Sequence, residues 1–364
     1  MYATSAPSGR AATPMTNGDE TPSPVLRQGT MRAVVQAEFG SADVLHVEEI
    51  DAPTIAEDEA MIRVHAAGMD RGTWHLMAGR PYMFRLMGGG LRSPKNLVSG
   101  LDVAGTVVAA GSHVTRFEVG DEVFGISRGS FAEYACARED KLARKPANLT
   151  FDQAAAVAVS GLTALQSLSD IGHVEPGQRV LVVGASGGVG TFAVQIAKAL
   201  GAEVTGVCST TKLELVRSIG ADRVIDYTQD DFSTGRERYD LILDIGGNSA
   251  LRRLRGALTP RGTLVIVGGE DGGRWTGGFG RQLRAVALSP FVRQRLTMKA
   301  PKEHYTDLER LVGLIEAGRL TPIIEQTYPL HQTPDAMRHL EAGQARGKLV
   351  ITVIDPDDAT PEET

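Results

Sequence analysis

The chain has 364 residues, of which 23% are charged, and a formal net charge of −6. Its length allows two domains with cores that need no covalent crosslinks, and its acidic balance argues against a nucleic-acid-binding protein. Two cysteines, Cys136 and Cys208, are too few for a disulfide framework or a four-thiolate zinc lobe, and no apolar run is long enough to span a bilayer. We therefore expect a globular, cytoplasmic protein without a secretory signal.

The chain divides into five segments of different composition. Residues 1–30 are small, polar and proline-bearing, which predicts a disordered leader. Residues 31–150 hold short apolar segments broken by glycine, typical of a mostly antiparallel, barrel-like domain. In residues 151–298 strands alternate with helices, which predicts an α/β, doubly wound parallel sheet. Residues 299–354 are expected to pack back on the first domain, with the active site in the crevice between domains, and the acidic residues 355–364 are predicted to be disordered.

The best-defined motif is a glycine-rich turn between an apolar strand, Arg179–Val183, and a helix over residues 189–200. With a further strand at residues 203–207, this is the order of a dinucleotide-binding unit, in which the helix N-terminus binds phosphate. The fingerprint G-x-G-x-x-G is matched in part, because alanine holds the first glycine position. A tight turn without a ligand is the alternative, but the flanking elements favour nucleotide binding. The candidate residues of the turn are Ala185, Ser186, Gly187, Gly188, Val189 and Gly190.

Ordered motifs along the chain resemble those of the medium-chain dehydrogenase/reductase superfamily, and within it the zinc-free, NADPH-dependent quinone oxidoreductase-like branch. The matching stretches include GLDVAGTVVAAG at residues 100–111, GSFAEY at 129–134, SGLTA at 160–164 and GADRVIDY at 220–227. The resemblance implies a GroES-like, mostly β catalytic domain, a Rossmann domain that binds NADPH, and hydride transfer from the nicotinamide. It is also compatible with a homodimer.

The residues at the positions of the family's zinc ligands predict a site without metal. Zinc-dependent members carry a cysteine where this chain has Asp70, and Gly-His-Glu where it has Gly100, Leu101 and Asp102. A leucine cannot coordinate zinc, and the histidines elsewhere show no paired ligand spacing. We therefore expect no metal.

The end of the second Rossmann strand bears on the choice between NADH and NADPH. An NAD-specific domain usually places an acidic residue there to accept from the ribose 2′-hydroxyl. Here no acid occurs before Glu214, and Ser209, Thr210 and Lys212 offer donors and a positive charge to a 2′-phosphate. Helix capping by the Ser-Thr-Thr run is the alternative, and it is compatible with a phosphate site. NADPH is the predicted cofactor.

Further candidate cofactor-binding residues lie outside the turn. They are two small residues of SGLTA, which the resemblance places at the nicotinamide end, the tyrosine that ends GADRVIDY, and three glycines at the carboxyl ends of predicted parallel strands. In chain order these are Ser160, Thr163, Tyr227, Gly246, Gly268 and Gly269. Lys348 is interpreted either as a neighbour of the cofactor phosphate or as a solvated strand residue.

Without a metal, the negative charge left on the substrate by hydride transfer must meet hydrogen-bond donors or be spread by conjugation, which favours quinones and α,β-unsaturated carbonyls. The candidate catalytic residues are Asp70, His75 and Tyr82. An ionised Asp70 beside a forming enolate would raise the barrier, so we expect it to bind a hydroxyl, to be structural, or to be held protonated by burial. His75 and Tyr82 either donate a proton or line an apolar pocket.

Three other functions stay open at this point. Two are enzymatic, an enoyl-thioester reductase and an alcohol or aldehyde dehydrogenase that acts without zinc. The third is a non-catalytic NADPH-binding protein that contacts RNA, a membrane or a partner through the basic segment 277–299. A solvated helix face or a lid is the simpler interpretation of that segment.

Overall fold

The computed structural model describes residue 1 and residues 29–86, 90–269, 275–299 and 302–354. The predicted leader lies outside the described residues except at its two ends, and the predicted acidic tail lies wholly outside them. Thr30, the last residue assigned to the leader, already begins the first strand. None of the helices in the described ranges is long and apolar enough to cross a membrane.

The described part of the chain contains fifteen strands and ten α-helices. In chain order the strands are β1 (Thr30–Val35), β2 (His46–Asp51), β3 (Glu59–Met69), β4 (Asp102–Ala110), β5 (Glu122–Ile126), β6 (Tyr134–Arg138), β7 (Leu142–Arg144), β8 (Arg179–Val183), β9 (Glu203–Cys208), β10 (Arg223–Asp226), β11 (Tyr239–Asp244), β12 (Leu258–Ile266), β13 (Arg295–Met298), β14 (Ile324–Pro329) and β15 (Lys348–Thr352). The helices are α1 (Arg71–Ala78), α2 (Tyr82–Phe84), α3 (Phe151–Ala155), α4 (Ala158–Leu165), α5 (Gly188–Ala199), α6 (Leu213–Ser218), α7 (Leu251–Ala257), α8 (Phe279–Leu288), α9 (Tyr305–Glu316) and α10 (Thr333–Glu341).

The first body of the protein is mostly antiparallel. Strands β1 and β2 form one pair, and β3 to β7 with β14 and β15 form a seven-stranded sheet. The alternation that predicted these strands directs one set of side chains inward, and Ile62, Val103 and Val123 are fully buried in the core. The sheet is completed by the end of the chain, because β15 pairs with β3 and places Leu349 opposite Met69.

The second body is a six-stranded parallel sheet in the order β10-β9-β8-β11-β12-β13. Its central strand β8 is buried on both faces, and Val180, Leu181 and Val182 have no exposed surface. The direction of strand progression changes between β8 and β11, the point at which doubly wound folds bind ligands. The predicted α/β fold, with a mostly β domain and a Rossmann sheet, is confirmed.

Some predicted boundaries shift. Strand β8 has the predicted bounds, whereas β9 ends at Cys208, one residue beyond the predicted end at residue 207. The basic segment 277–299 holds helix α8 and then an edge strand, β13, which was not predicted. That strand forms because Leu296 is buried against β12, and this contact is not visible in a local pattern of arginines.

One hydrophobic core joins the two bodies. It includes Phe124 of β5, Leu162 of α4, Val180 of β8 and Leu311 of α9, all buried. Helices α4 and α9 therefore pack between the sheets and fix their relative position. The surfaces of the two bodies that face each other are held in place by this core.

Candidate active site

A cleft of about 1270 Å³ lies between the two bodies and runs along the carboxyl edge of β8, β9 and β11. Most of the predicted site residues line it. These are Asp70, His75, Ser160, Thr163, Ser186, Gly187, Gly188, Val189, Ser209, Lys212, Tyr227, Gly246, Gly268 and Gly269. Four predicted residues do not line the cleft, namely Tyr82, Ala185, Gly190 and Thr210.

The turn between β8 and α5 has the geometry of a phosphate site. Gly184 has a φ of +90°, Gly187 occupies the N-cap position, and no side chain caps the first turn of α5. The N–H groups of that turn are therefore left for an anion. Two predicted residues build the turn instead of lining the cleft. A Cβ atom on Gly190 would lie 2.1 Å from the carbonyl oxygen of Gly184, and Ala185 is buried in the core.

The turn that precedes β15 packs against the turn between β8 and α5, residues 184–187, which is the phosphate turn. The N–H of Gly347 donates to the carbonyl oxygen of Ser186 at 2.9 Å, and Gly347 forms a parallel bridge with Gly187. Nearby, Lys212 Nζ donates to the carbonyl oxygen of Ala345 at 2.9 Å. These contacts join the edge of the parallel sheet directly to the first body.

A carboxylate that sequence reasoning missed lies beyond the end of β9. Asp226, the last residue of β10, accepts from Thr210 Oγ1 at 2.5 Å and from the N–H and hydroxyl of Thr228 at 3.0 and 2.8 Å. These hydrogen bonds lower the pKa of Asp226, and the bond from Thr210 has the largest effect. The hydroxyl of Thr210 thus donates within the protein, which explains why it does not reach the cleft. Ser209 and Lys212 remain at the cleft wall.

A buried ion pair lies at the cleft wall, which Lys348 lines and its partner Asp102 does not. Lys348 is 2% exposed, and its Nζ lies 2.9 Å from Asp102 Oδ2 and 3.3 Å from Ser160 Oγ. Asp102 Oδ1 accepts from the N–H of Val159 at 2.7 Å. Burial raises the pKa of Asp102 to about 6, against the opposing charge of Lys348. Lys348 is therefore not a solvated strand residue, and its partner stands at the position of the family's Gly-His-Glu glutamate.

Asp70 has a structural role and one unused oxygen. Its Oδ1 accepts from the N–H of Thr73 at 3.0 Å, so that Asp70 is the N-cap of α1. The residue is 8% exposed, and its buried Oδ2 has no hydrogen-bond partner among the described residues. Buried polar atoms are rarely left unpaired in folded proteins. Because Asp70 lines the cleft, this oxygen is a candidate acceptor for a bound ligand.

The other two candidate catalytic residues differ in their surroundings. His75 lines the cleft, and its Nδ1 lies 2.8 Å from the carbonyl oxygen of Arg80. Tyr82 instead belongs to a contact between the two bodies, in which its ring lies edge-on to Trp275 with centroids 5.5 Å apart. The N–H of Met83 donates to the carbonyl oxygen of Trp275 at 3.2 Å in the same contact. The structure therefore places His75 at the cleft and Tyr82 beside it.

The residues at the family's zinc position do not fit a zinc ion. Leu101 offers no ligand atom, and Asp102 is bound to Lys348. Within the described ranges, no group of three or more His, Cys, Asp or Glu side chains is arranged to hold a metal. We therefore derive no step through a metal.

Two family models match the chain. The model of the alcohol dehydrogenase GroES-like domain matches residues 56–147, and a model described as zinc-binding dehydrogenase matches residues 219–351. The mouse (Mus musculus) protein "NAD(P)H oxidoreductase RTN4IP1, mitochondrial" is 33% identical over 365 residues, with 90% of each chain covered. The tomato (Solanum lycopersicum) 2-methylene-furan-3-one reductase is 32% identical, with 91% of this chain and 81% of the relative covered.

A solved structure gives the same result. Escherichia coli quinone oxidoreductase in complex with NADPH superposes with a TM-score of 0.76 at 25% identity, covering 88% of this chain and 100% of that protein. The likeness extends over both bodies of the fold. The chain therefore belongs to the medium-chain dehydrogenase/reductase superfamily, in its quinone oxidoreductase-like branch, and is an NAD(P)H-dependent oxidoreductase.

Proposed function

We propose that the protein reduces quinones or other α,β-unsaturated carbonyl compounds with NADPH and without a metal. The observation that carries the proposal is the composition of the cleft, which has a phosphate-binding turn and is also lined by apolar side chains of both bodies, among them Leu101, Ile126, Val159 and Phe279. A conjugated carbonyl suits this lining, because conjugation spreads the charge left by hydride transfer and no Lewis acid is needed. The tomato relative is named as a reductase of such a compound.

The adenosine end of the cleft supports NADPH over NADH. Ser209 and Lys212 offer a hydroxyl and a positive charge at the wall where a 2′-phosphate would lie. Asp226 is the nearby acid that would otherwise favour a free ribose hydroxyl, but Thr210 and Thr228 already donate to both of its oxygens. When bound, the nicotinamide of NADPH supplies the hydride.

We assign Asp70 to binding and not to proton transfer. Its Oδ1 is already used as the N-cap of α1, where it accepts from the N–H of Thr73. An anion against a forming enolate would raise the barrier, so its free Oδ2 is better suited to accept a hydroxyl hydrogen from the cofactor or from the substrate.

We assign the proton of the product to His75. A carbonyl oxygen only accepts, so the contact with Arg80 requires Nδ1 of His75 to carry a hydrogen. In the neutral ring Nε2 is then unprotonated, and His75 donates a proton only in its doubly protonated form. His75→Gln is expected to lower kcat, with a smaller effect on KM. An unchanged kcat would mean that water, and not His75, donates the proton.

The proposal is tested by NADPH oxidation against quinones, enones, enoyl thioesters and aldehydes, after the protein has been treated with a chelator. We expect retained turnover of quinones or simple enones and a preference for NADPH over NADH of at least about tenfold. Loss of activity that zinc restores would overturn the metal-free proposal. A clear preference for thioesters or aldehydes would replace the substrate class, and tight NADPH binding without any turnover would favour a non-catalytic role.

A further inference from the structure

A second buried ion pair lies behind the cleft wall. Asp244, the last residue of β11, is fully buried, and its Oδ2 lies 2.5 Å from Nη1 of Arg281 in the first turn of α8. Burial raises the pKa of Asp244, while the charge of Arg281 opposes that shift. Arg281 belongs to the basic segment that sequence reasoning interpreted as a solvated face or a lid. The structure instead directs this arginine inward.

Arg281 also holds the two loops that leave the parallel sheet beside the cleft. Its Nη1 donates to the carbonyl oxygen of Ser249 at 2.7 Å, and its Nη2 donates to that of Gly268 at 3.2 Å. Ser249 and Gly268 both line the cleft, whereas Arg281 does not. One guanidinium therefore connects α8 with the exits of β11 and β12, which suits its fixed fork of donors.

The loop after β11 also touches the phosphate turn. The N–H groups of Ile245 and Gly246 both donate to the carbonyl oxygen of Val183, at 3.0 and 3.1 Å. A Cβ atom built on Gly184 would lie 3.0 Å from the nitrogen of Gly246. A displacement of the loop after β11 would thus be passed to the turn that receives the pyrophosphate.

The pair of Asp244 and Arg281 also affects the electrostatics of the cofactor site. Asp244 is a fully buried carboxylate at the edge of the sheet where an anionic dinucleotide binds. Like charges in a desolvated region repel strongly unless they are compensated. Within the described residues, Arg281 is the cation paired with Asp244.

We propose that Arg281 is a positioning residue for the cofactor, which neutralises Asp244 and holds residues 245–249 and 267–269 in the shape that accepts the dinucleotide. The inference uses only the nicotinamide cofactor and not the identity of the substrate. Its failure is therefore distinguishable from a failure of the proposed carbonyl reduction, because its readout is cofactor affinity.

The test compares four variants for NADPH affinity by nicotinamide fluorescence and for thermal stability. Arg281→Gln leaves the buried carboxylate uncompensated and is expected to weaken NADPH binding by about tenfold or more. Asp244→Asn removes the negative charge and is expected not to weaken binding. The double variant Asp244→Asn/Arg281→Gln restores neutrality but not the hydrogen bonds to the carbonyl oxygens of Ser249 and Gly268, so it is expected to bind more tightly than Arg281→Gln and less tightly than the wild type. Arg284→Gln, an exposed change on the same helix, is the control and is expected to change neither quantity.

Three results would overturn the proposal. If Asp244→Asn and Arg281→Gln weaken binding alike, in proportion to lost thermal stability, the pair is merely structural. If the double variant binds either as weakly as Arg281→Gln or as tightly as the wild type, one of the two parts of the proposed role, neutralisation of Asp244 or support of the loops, is absent. If Arg281→Gln binds normally, the loops need no such support. Should Arg281→Gln not fold, the double variant is compared with Asp244→Asn, which keeps the arginine; weaker binding by the double variant supports the loop contacts, and equal binding contradicts them.

Discussion

The two walls of the cleft are built in different ways. The wall on the parallel sheet is made of backbone, where Gly184, Gly187 and the first turn of α5 present N–H groups whose positions follow from the turn itself. The facing wall is made of side chains, where Lys348 is held by Asp102 from a distant part of the chain and Asp70 is held by the N-terminus of α1. A backbone wall tolerates change in side chains but not in backbone shape. A side-chain wall depends on every partner being present.

The largest effect is expected where a side chain would distort the backbone wall. In Gly190→Ala the new Cβ would lie 2.1 Å from the carbonyl oxygen of Gly184, so α5 must shift from the turn. NADPH binding is expected to weaken by about 100-fold or more, as judged by nicotinamide fluorescence. The control is Gly313→Ala in α9, where a Cβ meets no atom within 4 Å, and the change should leave binding intact while stabilising the helix by up to about 1 kcal/mol. Normal binding by Gly190→Ala would refute the phosphate site.

The largest effect on stability, as distinct from cofactor affinity, is expected from breaking the side-chain wall. Lys348→Met leaves the carboxylate of Asp102 buried without its cation, which is expected to lower the free energy of unfolding by about 3–5 kcal/mol in urea titrations. The control, Lys198→Met, removes a partly exposed pair with Asp222 and should cost no more than about 1 kcal/mol. Equal losses in the two variants would mean that the buried pair contributes no more to the free energy of unfolding than the partly exposed pair does.

The same pair predicts a dependence on pH. Asp102 has a pKa of about 6 in the folded protein and about 4 in the unfolded chain. Between these two pH values the folded protein keeps a proton on Asp102 that the unfolded chain has released. The stability that this group contributes is therefore greatest below about pH 4 and is lost as the pH rises through about 6, by about 3 kcal/mol in total. Urea titrations between pH 4 and 7 should show this loss in the wild type and not in Asp102→Asn/Lys348→Gln. Parallel profiles of the two proteins would contradict the raised pKa.

A smaller effect is expected at the adenosine end, where the two kinds of wall meet. Lys212→Ala is expected to weaken NADPH binding by about 10- to 100-fold and to leave NADH binding nearly unchanged, because only the 2′-phosphate needs the charge. Lys198→Ala serves as the control. Lys212 also donates to Ala345, so equal weakening for both cofactors would show that the lysine acts by joining the two bodies.

The smallest effect is expected from Asp70→Asn. Asparagine caps a helix as well as aspartate does, so stability should change by less than about 0.5 kcal/mol. The amide would present a donor where the free Oδ2 offered an acceptor, and KM for the cofactor or the substrate is expected to rise by up to about tenfold with little change in kcat. A large fall in kcat at unchanged KM would instead make Asp70 part of the proton transfer.

Local signals were sufficient for the fold and for the backbone wall. Strand β8 and the glycine turn could be predicted because each depends on neighbouring residues, namely an apolar run followed by glycines and a helix. The same applies to Gly187 and Gly188, whose role follows from their place at a helix N-terminus. Ala185 and Gly190 belong to the predicted turn but do not line the cleft, because Ala185 is buried in the core and Gly190 packs against the carbonyl oxygen of Gly184.

The side-chain contacts could not be predicted in this way, since their partners are remote in sequence. Lys348 meets Asp102 only because β15 joins the first sheet, and Thr210 donates to Asp226 only because β10 lies beside β9. The inward direction of Arg281 depends on how α8 packs over β11 and β12, and an arginine-rich pattern contains no sign of it. Pairing of strands, more than the motif of each strand, decides which polar groups reach the cleft.

The bridge between Gly187 and Gly347 has a consequence for biosynthesis. The ribosome completes the phosphate turn long before it makes the segment that closes against it, and β15 must also find its place beside β3. A growing chain can thus fold its parallel sheet while the nucleotide site still lacks one side. Assembly of a competent site therefore waits until residues 347–352 have been synthesised and have paired with their partners.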